Sequence, residues 1–170
     1  YAPRVPLGPG VEMLAAQPMD RTGEPGQGLA GAGHRVLTYR DLVALKPGPD
    51  PRPPSRNLEI HLTGAMERFI WGFDGRRFSD GPAPYTLRTG ERVRVVLIND
   101  TMMTHPMHLH GMWSDLRCPN GGLQVRKHTI LVQPAQKVSF DVTGEQGRWA
   151  WHCHLAYHME SGMFREVVVD

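Results

Sequence analysis

The stretch Asn57-Leu58-Glu59-Ile60-His61-Leu62 marks the point at which this chain takes on a β pattern. Leu58, Ile60 and Leu62 alternate with polar residues, as expected for a strand that buries one face. Residues 92–99 form a second, strongly apolar stretch with a similar alternation. The sequence therefore predicts a β domain that begins at residue 57.

Further strands are predicted where short apolar stretches recur between glycine and proline turns. They lie at residues 68–73, 76–78, 105–112, 127–132, 136–142, 147–153 and 164–169, with Asp74-Gly75 as a hairpin turn. About eight short strands with hardly a helical period among them indicate a β-sandwich or barrel. Residues 57–170 are thus expected to form one all-β domain.

Residues 1–56 have a different composition, because they hold ten of the fifteen prolines. The run Pro47-Gly48-Pro49-Asp50-Pro51-Arg52-Pro53-Pro54 is typical of this part. We predict an extended Pro/Gly-rich linker that runs over a surface, with a short turn or helix at residues 39–45. The chain opens with Tyr1 and no signal segment follows, so we interpret it as a piece of a longer protein.

Composition limits the function classes. A chain of 170 residues is long enough for one ordinary domain with a core. Its 19 basic and 17 acidic residues are interspersed, which gives no indication of nucleic-acid binding. No apolar run approaches the roughly 20 residues of a membrane span.

Two clusters carry six of the nine histidines and one of the two cysteines. The first is His105-Pro106-Met107-His108-Leu109-His110-Gly111. The second is Trp151-His152-Cys153-His154-Leu155-Ala156-Tyr157-His158-Met159-Glu160-Ser161-Gly162-Met163. Soft sulfur ligands combined with imidazole at this density indicate copper.

Strand alternation divides these ligands between two faces, because successive side chains of a strand point to opposite sides. If the two clusters lie on neighbouring strands, one face offers only imidazoles. These are His108, His110, His152 and His154. The other face offers His105 and Cys153. Two different metal sites are therefore predicted, joined through Cys153 and its two covalent neighbours.

The loop after the second cluster can complete the Cys153 face. His158 supplies a second imidazole there, and Met163 supplies a weak axial ligand. A His₂Cys set with a distant methionine indicates a type 1 copper used for electron transfer. Zinc is an alternative for Cys and two His, but it explains neither Met163 nor the four spare histidines.

The two clusters resemble, without a gap, the third and fourth copper-binding motifs of multicopper oxidases. The surrounding sequence resembles that of multicopper oxidases of the bacterial copper-resistance protein A type. This similarity includes residues 59–68, 71–75, 110–116 and 124–129. The resemblance covers residues 57–170 strongly and the preceding linker less specifically. It implies a cupredoxin-like Greek-key β-sandwich or barrel.

Carried over residue by residue, the resemblance implies three classes of copper ligand. His105, Cys153, His158 and Met163 would hold the type 1 copper, His108 a type 2 copper, and His110, His152 and His154 type 3 coppers. It also implies catalysis in which Cys153, His152 and His154 carry electrons from the type 1 copper to a trinuclear cluster that reduces O2 to water. The substrate would be Cu(I) or a phenol, and the location the periplasm.

Four histidines are too few to ligate three metals, so this chain supplies at most half of the oxygen site. The remaining ligands are expected from an N-terminal cupredoxin domain of the same protein or from another chain. Two alternatives remain open, a single-domain blue-copper electron carrier and a copper-binding protein without turnover. Neither accounts for both the four imidazoles and their separation from Cys153.

Several other residues receive weaker predictions. The remaining methionines near the clusters are interpreted as packing or as a surface for Cu(I), and Trp149 and Trp151 as shields of the Cys153 face. Asp115 and Glu160 are candidates for accepting protons or orienting an imidazole. Cys118 is expected to be a free loop thiol, and His34, His61 and His128 ordinary surface or hydrogen-bonded histidines.

Overall fold

Eleven strands and one short α-helix form the main regular structure of residues 5–170, the part of the chain that the computed structural model describes. The strands are β1 (Arg56–Ala65), β2 (Ile70–Phe73), β3 (Tyr85–Leu87), β4 (Arg92–Asn99), β5 (His105–Leu109), β6 (Ser114–Arg117), β7 (Leu123–Lys127), β8 (Thr129–Val132), β9 (Lys137–Thr143), β10 (Gly147–Cys153) and β11 (Phe164–Val169). The helix is α1 (Ala156–Glu160), and two 3-10 turns cover Tyr39–Asp41 and Phe78–Asp80.

Two sheets make up the domain. One has six strands in the order β2-β1-β4-β9-β6-β7, and the other has five in the order β3-β11-β10-β5-β8. The β1–β4 and β11–β3 pairs are parallel and the remaining pairs antiparallel. The predicted all-β sandwich is confirmed.

The core lies between the sheets and follows from the alternation in the strands. Ile60, Val95 and Leu97 of the six-stranded sheet are buried together with Trp151 and Met107 of the five-stranded sheet. Burying one large apolar side chain contributes about 1.5–3 kcal/mol relative to leaving it exposed. The strands that bring the two histidine clusters together are therefore held on a well-packed layer.

Residues 5–55, here called the wrapping segment, lie against the domain. The segment bonds to β1 through Glu12 N and Gly64 O at 3.1 Å. Farther along, the Tyr39 hydroxyl accepts a hydrogen bond from Leu131 N at 2.6 Å, and Asp50 Oδ2 accepts one from Thr143 Oγ1 at 2.7 Å. The segment thus contacts the domain at several points, and the predicted division into a linker of residues 1–56 and a domain of residues 57–170 stays a prediction.

The strand predictions succeed at β10 and β11 and fail at several shorter elements. The predicted strand at residues 76–78 is wrong: after one bridge between Phe73 and Arg76, the chain turns into the 3-10 helix. Asp80 causes the turn, because its carboxylate accepts a hydrogen bond from Arg77 N at 2.9 Å. The prediction for 105–112 runs three residues too far, and that for 127–132 covers β8 but only the last residue of β7. β3, β6 and α1 are missing from the predictions.

No helix among residues 5–170 combines the length and the apolar character needed to cross a membrane.

Candidate metal centre

Strands β5 and β10 pair antiparallel and bring the two histidine clusters side by side. His108 lies opposite His152, and Met107 lies opposite Cys153. Burial alternates along both strands, so that His105 and Cys153 point into the core while His108 and His152 point outward. The two faces predicted from strand alternation are present.

Three inward side chains, His105, Cys153 and His158, bring their potential ligand atoms close together. They are here called the inner set. His105 Nδ1 lies 3.6 Å from Cys153 Sγ, His158 Nδ1 lies 3.8 Å from the same sulfur, and the two nitrogens are 3.1 Å apart. All three residues are buried. Among residues 5–170 this is the one group of three or more His, Cys, Asp or Glu side chains whose donor atoms all lie within 4.8 Å of one another.

Helix α1 and the turn after it return the chain to this set. His158 sits in α1, and its carbonyl accepts a hydrogen bond from Met163 N at 3.0 Å. Met163 is fully buried, and its carbonyl accepts from Cys153 N at 3.1 Å. Gly162 makes this tight return possible: it has φ +124°, and a Cβ there would lie 2.6 Å from the carbonyl oxygen of Trp71.

Trp71 seals the inner set from the side of β2. Its ring stacks on His158 with centroids 4.3 Å apart and meets the edge of His105 at 5.2 Å. Trp71 itself is completely buried. The indole therefore fixes both imidazole planes and excludes water from the three ligand atoms.

Burial also sets the protonation of the inner set. It lowers the pKa of His105 to about 3, with a further contribution from the charge of His158, and it lowers the pKa of His158. Burial raises the pKa of the Cys153 thiol to about 11. At neutral pH the metal-free set is thus two neutral imidazoles and one thiol, so a metal that binds as the thiolate complex must displace a proton.

The outward imidazoles lie on a partly exposed surface, here called the outer face. They belong to His108, His110, His152 and His154. His110 Nε2 and His152 Nε2 are 3.0 Å apart, and the His108 ring centroid lies 4.6 Å from that of His110 and 5.6 Å from that of His154. His108 Nδ1 donates to the His128 carbonyl at 2.7 Å, which leaves the lone pair of the neutral ring on Nε2. Their donor atoms do not converge on one point as the inner set does.

The position of Gly111 shows how closely the outer face is packed at its end. Gly111 follows His110 with φ +73°, and a Cβ there would lie 2.3 Å from the Trp149 ring. The Trp149 indole is held in place by its hydrogen bond to Glu145 O at 2.8 Å. Trp149 therefore covers the backbone beside the outer histidines, whereas Trp151 is buried in the core.

The donor sets fit copper differently at the two faces. The inner set offers a thiol and two neutral imidazoles in a water-free pocket, a combination suited to both oxidation states of copper. Cys and two His would also suit zinc, but the fully buried Met163 beside them favours the softer metal. The outer face offers imidazole alone and is partly exposed.

Three of the weaker sequence predictions are resolved by the structure. Asp115 does not orient a ligand imidazole: it is buried in the six-stranded sheet, where it pairs with Arg92 and Arg126 at 2.9 Å each. Cys118 is a free thiol, as expected. His61 is buried, and its Nδ1 lies 2.6 Å from Asp100 Oδ2, so it belongs to the hydrogen-bonded class.

His128 and Glu160 both lie beside the histidines of the two clusters. The exposed ring of His128 meets the edge of His108 at a centroid distance of 5.4 Å. Glu160 lines a cavity of about 520 Å³ together with Phe69, Met159 and Phe164. Phe69 also packs 6.0 Å from His158, between centroids, so the cavity lies close to the inner set.

The methionines near the clusters divide by burial. Met107, Met112 and Met163 are buried, Met103 and Met159 are half-buried, and Met102 is 57% exposed. Buried thioethers at Met107 and Met112 support the packing interpretation for those two residues.

Comparison with known proteins identifies the family. The sequence pattern of the family described as "Multicopper oxidase" matches residues 51–170. This chain belongs to the multicopper oxidase family. Copper resistance protein A of Pseudomonas syringae pv. tomato is 57% identical over 163 residues, which are 95% of this chain and 27% of that protein. The protein of the same name from Escherichia coli shows the same identity over the same shares.

A more distant relative in the multicopper oxidase family is multicopper oxidase MmcO of Mycobacterium tuberculosis, 36% identical over 76% of this chain and 26% of that protein. The chain spans little more than a quarter of the length of these curated relatives. Further domains therefore exist in the relatives beyond the region that this chain matches.

Solved structures of multicopper oxidases share the fold. McoA from Aquifex aeolicus matches with a TM-score of 0.61 and 23% identity, over 74% of this chain and 31% of that one. The blue copper oxidase from Nitrosomonas europaea matches with a TM-score of 0.61 and 16% identity, over 71% of this chain and 47% of that one. The predicted cupredoxin-like architecture is confirmed, and the family implies copper as the metal.

Proposed function

We propose that this chain is the C-terminal domain of a copper-dependent oxidase. In this assignment the inner set of His105, Cys153 and His158, with Met163 as a weak fourth ligand, holds a type 1 copper. The observation that carries the proposal is the convergence of the three buried ligand atoms within 4.8 Å. The family membership supplies the reaction class.

The outer face is proposed as half of a trinuclear cluster. His108 is assigned to a type 2 copper, and His110, His152 and His154 to type 3 coppers. The hydrogen bond from His108 Nδ1 to the His128 carbonyl supports this assignment, because it directs Nε2 away from the protein. The remaining ligands are proposed to come from an N-terminal cupredoxin domain of the same protein or of another chain.

Cys153 is proposed as the electron route between the faces. The Cys153 thiol belongs to the inner set, and the Cys153 backbone is joined by peptide bonds to His152 and His154 of the outer face. When bound, copper would supply one-electron redox chemistry at the inner set and the reduction of O2 to water at the completed outer face. The protein would exclude water from the inner set and provide a short covalent path for electrons between the two faces.

The cavity of about 520 Å³ beside His158 is the proposed approach for the reducing substrate. Its aromatic wall includes Phe69, which separates the cavity from His158 and Trp71. An opening of this size accommodates a small phenol or a Cu(I) ion. We propose oxidation of Cu(I) or of phenols, one electron at a time.

A role in copper resistance and a periplasmic location are also proposed. Both rest on the 57% identity to proteins named copper resistance protein A. Neither follows from the geometry of the chain.

The test compares the chain alone with the protein that includes the preceding region. Copper-loaded chain alone is expected to show the intense visible absorption of a type 1 site but no oxygen consumption with Cu(I) or a phenol. Restoring the preceding region is expected to restore oxygen consumption. A colourless copper-loaded chain contradicts the inner assignment, and oxygen consumption by the chain alone contradicts the half-site assignment.

A further inference from the structure

We infer that Thr101 is a positioning residue for His105: its hydroxyl fixes the imidazole tautomer and keeps Nδ1 for the metal. The inference rests on the proposed function in one respect, the assignment of His105 as a copper ligand. Thr101 lies in the loop between β4 and β5, and the sequence alone gave no reason to single it out.

The contact is short and shielded from water. Thr101 Oγ1 lies 2.8 Å from His105 Nε2, on the side of the ring away from Cys153. Thr101 is buried, and His105 is fully buried. Because water does not compete here, the direction of this hydrogen bond determines whether His105 Nε2 carries a proton.

Asn99 determines the direction of this hydrogen bond. The Asn99 amide nitrogen donates to Met103 O at 2.7 Å and to Val132 O at 3.0 Å, so its oxygen faces Thr101. That oxygen accepts from Thr101 N at 2.9 Å and lies 2.8 Å from Thr101 Oγ1. The single hydroxyl hydrogen has two oxygen acceptors, Asn99 Oδ1 at 2.8 Å and Met103 O at 3.1 Å, and donation to either turns it away from His105.

The lone pairs of the hydroxyl are then left for donors. Met103 N donates to Thr101 Oγ1 at 3.2 Å, and His105 Nε2 occupies the second acceptor position. Since a hydroxyl has one hydrogen and two lone pairs, His105 Nε2 must carry its proton. His105 Nδ1 is thus left deprotonated, and it is this atom that faces Cys153 Sγ.

The loop that presents Thr101 is anchored from the opposite side. The neighbouring residue, Asp100, accepts a hydrogen bond from Ala15 N of the wrapping segment at 2.8 Å through Oδ1. Its other oxygen lies 2.6 Å from His61 Nδ1. Both contacts are buried, so the position of Thr101 is fixed by groups that do not themselves touch the inner set.

The hydrogen bond also changes the donor strength of the ring. An acceptor on the far nitrogen raises the basicity of the ligating nitrogen and orients the ring. Stronger donation favours Cu(II) over Cu(I), so losing the hydroxyl should raise the reduction potential of the site. The loss should also weaken Cu(II) binding, by about 10- to 100-fold as for other outer-shell partners of metal ligands.

The experiment uses the 170-residue chain with Thr101→Val and Thr101→Ser. Thr143→Val is the matched control, because the Thr143 hydroxyl is also hydrogen-bonded, donating to Asp50 and accepting from Arg92, but lies in the six-stranded sheet. In the metal-free chain, nitrogen-15 NMR reports the tautomer of each imidazole. In the copper-loaded chain, the measurements are the visible absorption, the reduction potential and Cu(II) affinity.

Wild-type chain, Thr101→Ser and Thr143→Val are expected to show His105 protonated at Nε2. Thr101→Val is expected to lose this single tautomer, to bind Cu(II) about 10- to 100-fold more weakly and to have a higher reduction potential. The inference is overturned if Thr101→Val keeps the tautomer, affinity and potential of Thr143→Val. A colourless copper-loaded wild-type chain would instead count against the proposed function, and the metal-free NMR would still decide the role of Thr101.

Discussion

The inner set and the outer face use the same two strands but differ in almost every physical property. His105, Cys153 and His158 are buried, neutral and arranged with their ligand atoms within 4.8 Å. His110 and His154 are exposed, and the outer nitrogens do not converge on a single point. The inner set is built within one domain, whereas we propose that a second domain completes the outer face.

This difference shows how the two sides of one strand can hold donor groups in two different environments. Core packing holds the inner set in place, through Trp71 and the return of the chain at Met163. The imidazoles of the outer face are held by fewer contacts, mainly the hydrogen bond from His108 to the carbonyl of His128. We therefore expect changes to the two faces to have separable effects.

The largest expected effect is the complete loss of the type 1 absorption in Cys153→Ser, because a hydroxyl cannot replace the thiolate that gives the intense colour. Visible spectroscopy of the copper-loaded chain measures this. Cys118→Ser is the matched control, since Cys118 is the other free cysteine and lies in a loop. Equal colour in Cys153→Ser and Cys118→Ser would refute the inner assignment.

The second prediction concerns the outer face. In the protein with its preceding region, His152→Ala should reduce oxygen consumption by more than the roughly 10- to 100-fold that loss of an outer-shell partner costs, while the type 1 absorption remains. An oxygen electrode and visible spectra of the same sample measure the two effects. His34→Ala, on the exposed part of the wrapping segment, is the control. Loss of the colour together with activity would show that the two faces are not separable.

The third prediction is a pH dependence that belongs to the inner set. Burial lowers the pKa of His105 to about 3 in the folded metal-free chain, while the unfolded value is about 6.5. The unfolded state therefore binds more protons between these pH values, and the free energy of unfolding decreases as pH falls from about 6.5 toward 3. One such group contributes a slope of at most about 1.4 kcal/mol per pH unit.

Denaturant unfolding of the metal-free chain across this pH range measures the slope. His105→Gln should have a shallower slope because the titrating group is gone. His34→Gln serves as the comparison variant at an exposed position. If His105→Gln has the wild-type slope, burial of His105 does not control the acid sensitivity.

The smallest effect is expected from His128→Ala. His108 bonds to the carbonyl of His128, which the substitution retains, and the His128 ring is exposed. The free energy of unfolding should change by less than about 0.5 kcal/mol, and the type 1 absorption should not change. A loss of oxygen consumption as large as that of His152→Ala would show that the His128 ring takes part in the outer face.

The sequence predicted the separation into two faces because strand alternation is a local property. In β10, Trp151 and Cys153 alternate with His152, and the structure keeps this register. The ends of β10 and β11 were predicted correctly for the same reason, since aromatic and valine residues make the alternation strong.

Other features depend on partners that are distant in the chain. β6 was missed because Asp115 and Arg117 make its sequence polar. Both side chains form ion pairs with residues of other strands, Asp115 with Arg92 and Arg117 with Asp141. His61 is on the outer side of its sheet and is buried near the wrapping segment, which no local pattern reveals. Thr101 is similar, because its importance comes from the loop conformation that Asn99 imposes.

The pairing of His108 with His152, and of Met107 with Cys153, has an evolutionary consequence. Deleting or inserting one residue in β10 would exchange its two sides, bringing Cys153 to the surface and its flanking imidazoles into the core. Such an event would disrupt both proposed sets of copper ligands at once. Point substitutions can remove the ligands of one face and leave those of the other. A one-residue insertion or deletion in β10 removes both together.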